Sequence, residues 1–333
     1  MNFMKTSITL PISKTKFICL LGVILLIILG VLSLFIGKYP LSIEKLLAGD
    51  LLQLRVFMTL RLSRTLVGIT GGIALGVTGF VYQTVFRNPL ASPDIIGVSS
   101  GASAGAAAGI LFLPGAAAVT ISAFAGALLA VLLSLALSSL DRSGRNGTIV
   151  LAGIAVHSIA QTVLMCLKLT ADPEKELASI EYWIMGSLNG ISAYSVTGNM
   201  ILCIVCIPCL LMIHRQIILL STEEGEARML GVNVNLLRVV TLVIATLSVA
   251  SVVSLTGLIS FVGLLAPHLA RLLIKDNRME TMILSGLLGG ILLCGADILA
   301  RSAASTELPI SIFTSLLGAP FLLFLIFRER RQS

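Results

Sequence analysis

The sequence predicts an all-α polytopic membrane protein with about ten transmembrane helices, and three observations carry that prediction. Of its 333 residues, 56% are hydrophobic and only 12% charged, with a mean hydropathy of +1.03, far from the composition of a soluble domain. Apolar runs of about 20 residues, the length a helix needs to cross ~30 Å of hydrocarbon, recur almost from end to end. Alternating ten-residue segments of the barrel type are missing, so the spans must close their backbone hydrogen bonds as helices. No hydrophilic stretch is long enough for a second domain, and 1–333 reads as one membrane domain.

Breaks at charged and Gly/Pro clusters place the spans near 17–37, 63–86, 95–113, 115–137, 149–170, 195–213, 236–256, 258–273, 281–300 and 309–327. The first follows Lys5, Lys14 and Lys16 but is too long for the apolar core of a signal peptide and has no A-x-A site after it, so it reads as a retained helix behind a short cytoplasmic segment, 1–16. The second opens on Arg61 and Arg64, which as span-end arginines either snorkel to the interface or meet something outside. A rigid turn, RNPLASPD, precedes the third, with Asn88-Pro89 and Ser92-Pro93 extended and Asp94 placed to cap the helix.

Within that third span Gly97, Gly101, Gly105 and Gly109 recur every four residues, a step that turns a helix by about 400° and so builds a smooth ridge. In lipid, where no hydrophobic effect drives helices together, such a ridge admits a neighbouring backbone. The fifth span holds His157, a deep titratable group expected to hydrogen-bond to an adjacent helix. Residues 171–190 are polar, then amphipathic, and carry the single tryptophan, Trp183, beside Tyr182; they either anchor a helix at headgroup level or stand where substrate enters. Cys203, Cys206 and Cys209 have a C-x2-C-x2-C spacing, but on an apolar helix with no further thiolate or His nearby they read as small buried side chains.

Residues 221–238 are the most charged stretch between two spans. Ser221 with Glu224 fits a capping box and Gly231 a C-terminal stop, predicting a helix of about nine residues that is either a solvated linker or a contact surface; Asn235 could cap the next span. Asp297, His268 and Glu307 lie near span ends, and Arg301 closes the ninth span. With both termini inside, fifteen of the 23 Lys and Arg residues fall on the inner side and eight on the outer, which favours cytoplasmic termini. The net charge of +7 is accounted for by that topology and requires no nucleic acid. Walker A, H-E-x-x-H, G-x-S-x-G and Cys/His metal spacings are absent, so the sequence predicts no catalytic residue, no metal site and no cofactor.

RLSRTLVGITGGIALGVTGFVYQTVFRNPLASPDIIGVSSGASAG, YWIMGSLNG, LISFVGLLAPHLARLL, GADILAR and ELPISIFTSLLGAPFLLFLI together resemble, in order, the FecCD-type permeases of ABC importers for ferric siderophores, haem and cobalamin. The resemblance implies the type II importer permease fold and a bacterial inner-membrane location. It also implies a second permease subunit, identical or not, two cytoplasmic ATPase subunits and an external substrate-binding protein, with the chain itself not an enzyme. It gives Arg61, Arg64 and Arg301 to docking of the binding protein, where planar cations suit carboxylates. It gives Ser221, Glu224, Glu226, Ala227, Arg228 and Gly231 to ATPase coupling, and sets Pro267 and His268 beside the glycine ladder as packing and gating positions. Ser63 stands where the family usually has proline, an expected loosening of the turn that presents Arg61 and Arg64, and the external loop from Lys38 to Leu60 is short. An ion-gradient-driven carrier is the rival; it predicts discontinuous spans with mid-membrane carboxylates.

Overall fold

A computed structural model describes residues 12–140, 146–191, 193–222, 224–304 and 306–330 of the chain. Among them are fifteen α-helices, one π-helical segment, one 3-10 turn and no strand. The ten predicted spans coincide with α1 (Ile12–Phe35), α4 (Ser63–Val85), α5 (Val98–Phe112), α6 (Ala116–Ser139), α7 (Asn146–Thr170), α9 (Ala193–Met212), α12 (Val234–Thr256), α13 (Val262–Ile274), α14 (Met279–Ser302) and α15 (Ile310–Arg330). Among the described residues six helices are long and apolar enough to cross a membrane, and four shorter apolar ones complete the set. The remainder, α2 (Ile43–Leu47), α3 (Leu51–Val56), α8 (Glu176–Ile184), α10 (His214–Leu219) and α11 (Glu224–Met229), lie in the connections.

Successive spans alternate in direction, which sets one end of the bundle, here the arginine end, against the opposite end carrying α10 and α11. At the arginine end the last turn of α1 meets the first turn of α4, with Ser33 and Thr65 hydroxyls 2.8 Å apart. At the opposite end the Cys19 thiol of α1 lies 3.8 Å from the Glu280 carbonyl at the start of α14. Helix α4 is the enclosed axis of the molecule, packed against α14, α13, α12 and α9, whereas α1, α6 and α7 turn broad apolar faces outward.

Four local expectations are corrected. Residues 51–85 run as one helical rod, because α3, capped by the Asp50 carboxylate on the Leu52 and Gln53 amides, passes through a π-helical segment, Phe57–Leu62, into α4. Arg61 and Arg64 therefore sit on a continuous helix and not in a turn, and Ser63, which keeps the amide a proline would lack, points its hydroxyl at the Met58 carbonyl, 3.4 Å away. Gly97 adopts φ +85, outside α5, and has ordinary space around it; its role is the left-handed turn rather than the packing ridge. Asp94 caps no backbone; it lies in the 3-10 turn Pro93–Ile96 and receives the hydroxyls of Ser99 and Ser92.

The eighth span does not begin as a helix. Between Gly257, at φ +69, and Val262 the chain runs non-helically down into the bundle, and α13 starts only there. Non-helical backbone at membrane depth is tolerated where protein covers it. Here the Leu258 carbonyl accepts the Ser311 hydroxyl at 2.8 Å, and the Phe261 ring packs onto Gly318 of α15. Beside this break lies a hollow of about 230 Å³ lined in part by Ser92, Asp94, Ser99 and Ser260, in which the Asp94 carboxylate receives the hydroxyls of Ser92 and Ser99.

Candidate functional site

The arginine end gathers α1, α4, α14 and the connection before α15 around charged groups. Asp297 and Arg301 lie four residues apart on α14, the spacing that puts two side chains on one helix face, and their carboxylate and guanidinium meet at 3.1 Å. The second oxygen of Asp297 accepts both Nε and Nη2 of Arg64, each at 2.8 Å. The remaining Nη1 of Arg64 donates to Glu307 at 2.9 Å. Arg301 also donates to the Ser33 hydroxyl of α1 at 2.5 Å, while its Nε and Nη1 are buried with no hydrogen-bond partner among the described residues. Arg61 extends to the Ile36 and Tyr39 carbonyls, at 2.6 and 3.0 Å, over the end of α1. Its guanidinium fills the space beside Gly37, where any Cβ would overlap it.

This is a partly neutralised cluster: three guanidiniums against two carboxylates. Arg301 and Asp297 are almost wholly enclosed, with side chains 1% and 2% exposed, and Glu307 is the open member at 23%. Burying such a set is tolerable only because each charge has a counter-charge or a carbonyl at hydrogen-bond distance.

At the opposite end the short helix expected within 221–238 is present as α11, six residues long instead of about nine, and α10 precedes it. The Ser221 hydroxyl donates back to the Ile218 carbonyl at 2.6 Å, closing α10, and α11 begins three residues later at Glu224, so Ser221 does not cap it. The side chains of Glu224 and Arg228 lie outside the described residues. Ala227 is buried, and Glu226 is exposed. Gly231, at φ +79, ends α11 as expected, with the Val232 amide returning to the Ala227 carbonyl at 3.3 Å. Asn233, not Asn235, caps α12 by accepting the Leu236 amide at 3.2 Å, because its extended backbone aims the side chain at that turn. Arg87 braces this region by donating to the Leu220 carbonyl, and Arg271 of α13 reaches Gln83 and Asn277 while its guanidinium stacks 4.8 Å above the Phe80 ring.

Between the two ends helices touch backbone to backbone. A Cβ on Gly101 or Gly105 would lie 2.4 and 2.2 Å from carbonyls of α6, and one on Gly109 would meet the Ser122 hydroxyl, so these three do form a packing ridge. Pro267 cannot donate to the Gly263 carbonyl, and that carbonyl is the atom pressed against Gly79 of α4. His268 packs its ring edge-on to Phe321 of α15, 5.8 Å between centroids.

A family model for the FecCD transport family matches residues 25–328. The chain belongs to that family. Two similar proteins bracket the range of cargoes. A cobalamin import system permease of Halobacterium salinarum is 38% identical over 82% of this chain and 73% of its own length. A molybdate import system permease of Haemophilus influenzae is 33% identical over 92% and 94%. A solved structure described as an inward-facing conformation of an ABC transporter assigned, without proof of cargo, to the metal-chelate type superposes with a TM-score of 0.85, at 32% identity over 94% of this chain and 99% of that one. This FecCD protein is thus a permease subunit of an ABC importer with the type II permease fold, a non-catalytic membrane component in a family whose ATP is hydrolysed by partner subunits.

In this FecCD permease the three arginines singled out from the sequence converge on one cluster, while the 221–231 residues and the glycine ladder lie on other parts of the bundle. Asp297 and Glu307 stand out in the sequence only as span-end groups, and Ser33 not at all. The i,i+4 spacing of Asp297 and Arg301 is a readable signal for the first; the other two meet their partners across 243 and 268 residues and leave none. His157 does not make the expected bond: its buried Nδ1 has no partner among the described residues.

Proposed function

We propose that this permease carries a ferric siderophore, or a closely related metal chelate, into a bacterial cytoplasm. In this reading both termini are cytoplasmic, the arginine end faces outward, and a second permease subunit completes the pathway. Arg61, Arg64 and Arg301 serve docking of a substrate-binding protein. The α10–α11 region, with Ser221, Glu224, Glu226, Ala227, Arg228 and Gly231, serves contact with two ATPase subunits. Gly101, Gly105, Gly109, Pro267 and His268 hold the helices that move.

The observation that supports it best is the polarity of an otherwise apolar bundle. One end carries a cluster with more guanidinium than carboxylate, suited to acidic side chains of a partner, and the other carries a short helix between two spans on which Glu226 and Met229 are exposed. The 15-to-8 distribution of basic residues supports the orientation, and the metal-chelate type transporter of the same fold supports the cargo class.

The test is uptake by the permease reconstituted in liposomes with its ATPase and binding protein. ATP-dependent accumulation of a radiolabelled ferric siderophore is expected. Uptake driven by an ion gradient without ATP would overturn the importer mechanism, and ATP-driven uptake of cobalamin, haem or molybdate in its place would overturn the cargo alone.

A further inference from the structure

The outer cluster has one group built differently from the rest. Arg64 uses one edge of its planar fork, Nε and Nη2, on Asp297, whose side chain is 2% exposed and which also holds Arg301. Its other edge, Nη1, is held by Glu307 alone, at 2.9 Å, with a side chain 23% exposed. Glu307 sits on no helix; it lies between α14 and α15, so its carboxylate can leave Arg64 by side-chain rotation without unwinding a turn. Nor does the cluster balance: Arg61 is satisfied by neutral carbonyls, leaving the three guanidiniums facing two carboxylates. Losing Glu307 would expose a fixed, oriented edge of Arg64 beside a second cation, a geometry that selects a carboxylate over a neutral acceptor.

We infer that Glu307 is an internal stand-in for a partner's carboxylate: an acidic side chain of the binding protein takes its place on the outer edge of Arg64, while Asp297 keeps the inner edge fixed. This rests on the docking reading above and adds to it that Arg64 is the exchangeable contact, whose strength is set by competition with the chain's own acid.

The experiment measures capture of the transporter's cargo-free binding protein by the permease–ATPase complex in nanodiscs, with Glu307→Gln and Arg64→Lys. Removing the competitor should tighten capture about two- to five-fold, the scale of a partly exposed ion pair. Arg64→Lys keeps a charge for Asp297 but loses the second edge, and should weaken capture about ten-fold or more. Unfolding midpoints of both variants, measured alongside, show whether any change comes from misfolding. Weakened capture by Arg64→Lys with unchanged or weaker capture by Glu307→Gln would overturn the stand-in and leave docking through the arginines standing. Unchanged capture by a folded Arg64→Lys would remove the docking reading itself, and the stand-in with it.

Discussion

Replacing Gly289 with alanine would place a methyl carbon 2.1 Å from the Gly72 carbonyl oxygen and 3.1 Å from the Gly76 Cα, where real Cβ contacts essentially never fall below 3.0 Å. The obstacle is backbone on both sides, so it cannot rotate away; α14 and α4 must part by about 1 Å along that contact. Overpacking of this kind costs roughly 1–3 kcal/mol, and a rigid obstacle puts it at the upper end. Alanine returns about 1 kcal/mol through its helix preference, leaving a net destabilisation of about 2 kcal/mol. Gly295 is the matched control: it lies six residues on in the same helix with nothing within 4 Å of the place a methyl would occupy, so Gly295→Ala should gain up to about 1 kcal/mol. The two variants should differ by about 3 kcal/mol, roughly a hundred-fold in the unfolding equilibrium. Unfolding in mixed micelles followed by circular dichroism reads that gap directly. Midpoints that agree to within about 1 kcal/mol would show that α4–α14 proximity is not what excludes a side chain at 289.

Three further outcomes follow from the same contacts. Asp297→Asn removes the carboxylate shared by two buried guanidiniums and should cost about 3–5 kcal/mol in that assay; a loss below about 1 kcal/mol would mean the cluster is hydrated in place. Gly97→Ala has room for its methyl but not for φ +85, and should destabilise by roughly 1 kcal/mol through the backbone alone, so an equal effect from d-alanine at 97 in a semisynthetic chain would refute the conformational cause. Asn233→Ala should cost about 1 kcal/mol and speed amide exchange in the first turn of α12, whereas Asn235→Ala should leave both unchanged.

Hydropathy made the ten spans legible because length and apolarity are properties of a local window. It failed where the local and the global signals part. LISF, residues 258–261, is as apolar as any helix, so nothing local reveals that it descends as non-helical backbone under cover of α15; only Gly257, with its left-handed φ, hints at the break. Arg55 and Arg61 had the reverse effect, interrupting the apolar run of a rod that is helical from Leu51 onward. The every-four rule found Gly101, Gly105 and Gly109 but also admitted Gly97; the same spacing recurs at Gly68, Gly72 and Gly76, a readable signal in α4 that the sequence reading did not use, although their partners in α14, Cys294, Gly289 and Ser285, lie more than 200 residues away and leave no local mark. The charged cluster was half visible: its cations stood out as span-end arginines, but which groups neutralise them depends on how α1, α4 and α14 come together.

That distribution of contacts follows from the solvent. In lipid the apolar side chains of α1, α6 and α7 gain little by turning inward, so the interior cannot be held by hydrophobic burial alone. It is held instead where backbone meets backbone, at Gly72 on Gly289, Gly76 on Ser285, Gly79 on Gly263 and Gly105 on Ser122, because close approach there gains dispersion and requires no side chain to be ordered. Such contacts have little directional specificity, and a ridge of glycines could slide by one repeat at small cost. The charged groups remove that freedom. Arg64 reaches Asp297 and Glu307, and Arg301 reaches Ser33, only in one axial register of α1, α4 and α14; at the opposite end Gln83 donates to the Leu264 carbonyl and Arg271 spans to Gln83 and Asn277, locking α13 on α4. A shift of one four-residue repeat, about 6 Å, would break both sets at once and strand buried charges at several kcal/mol each. Glycines therefore set how near the helices lie, and the arginines at either end set which residues face each other.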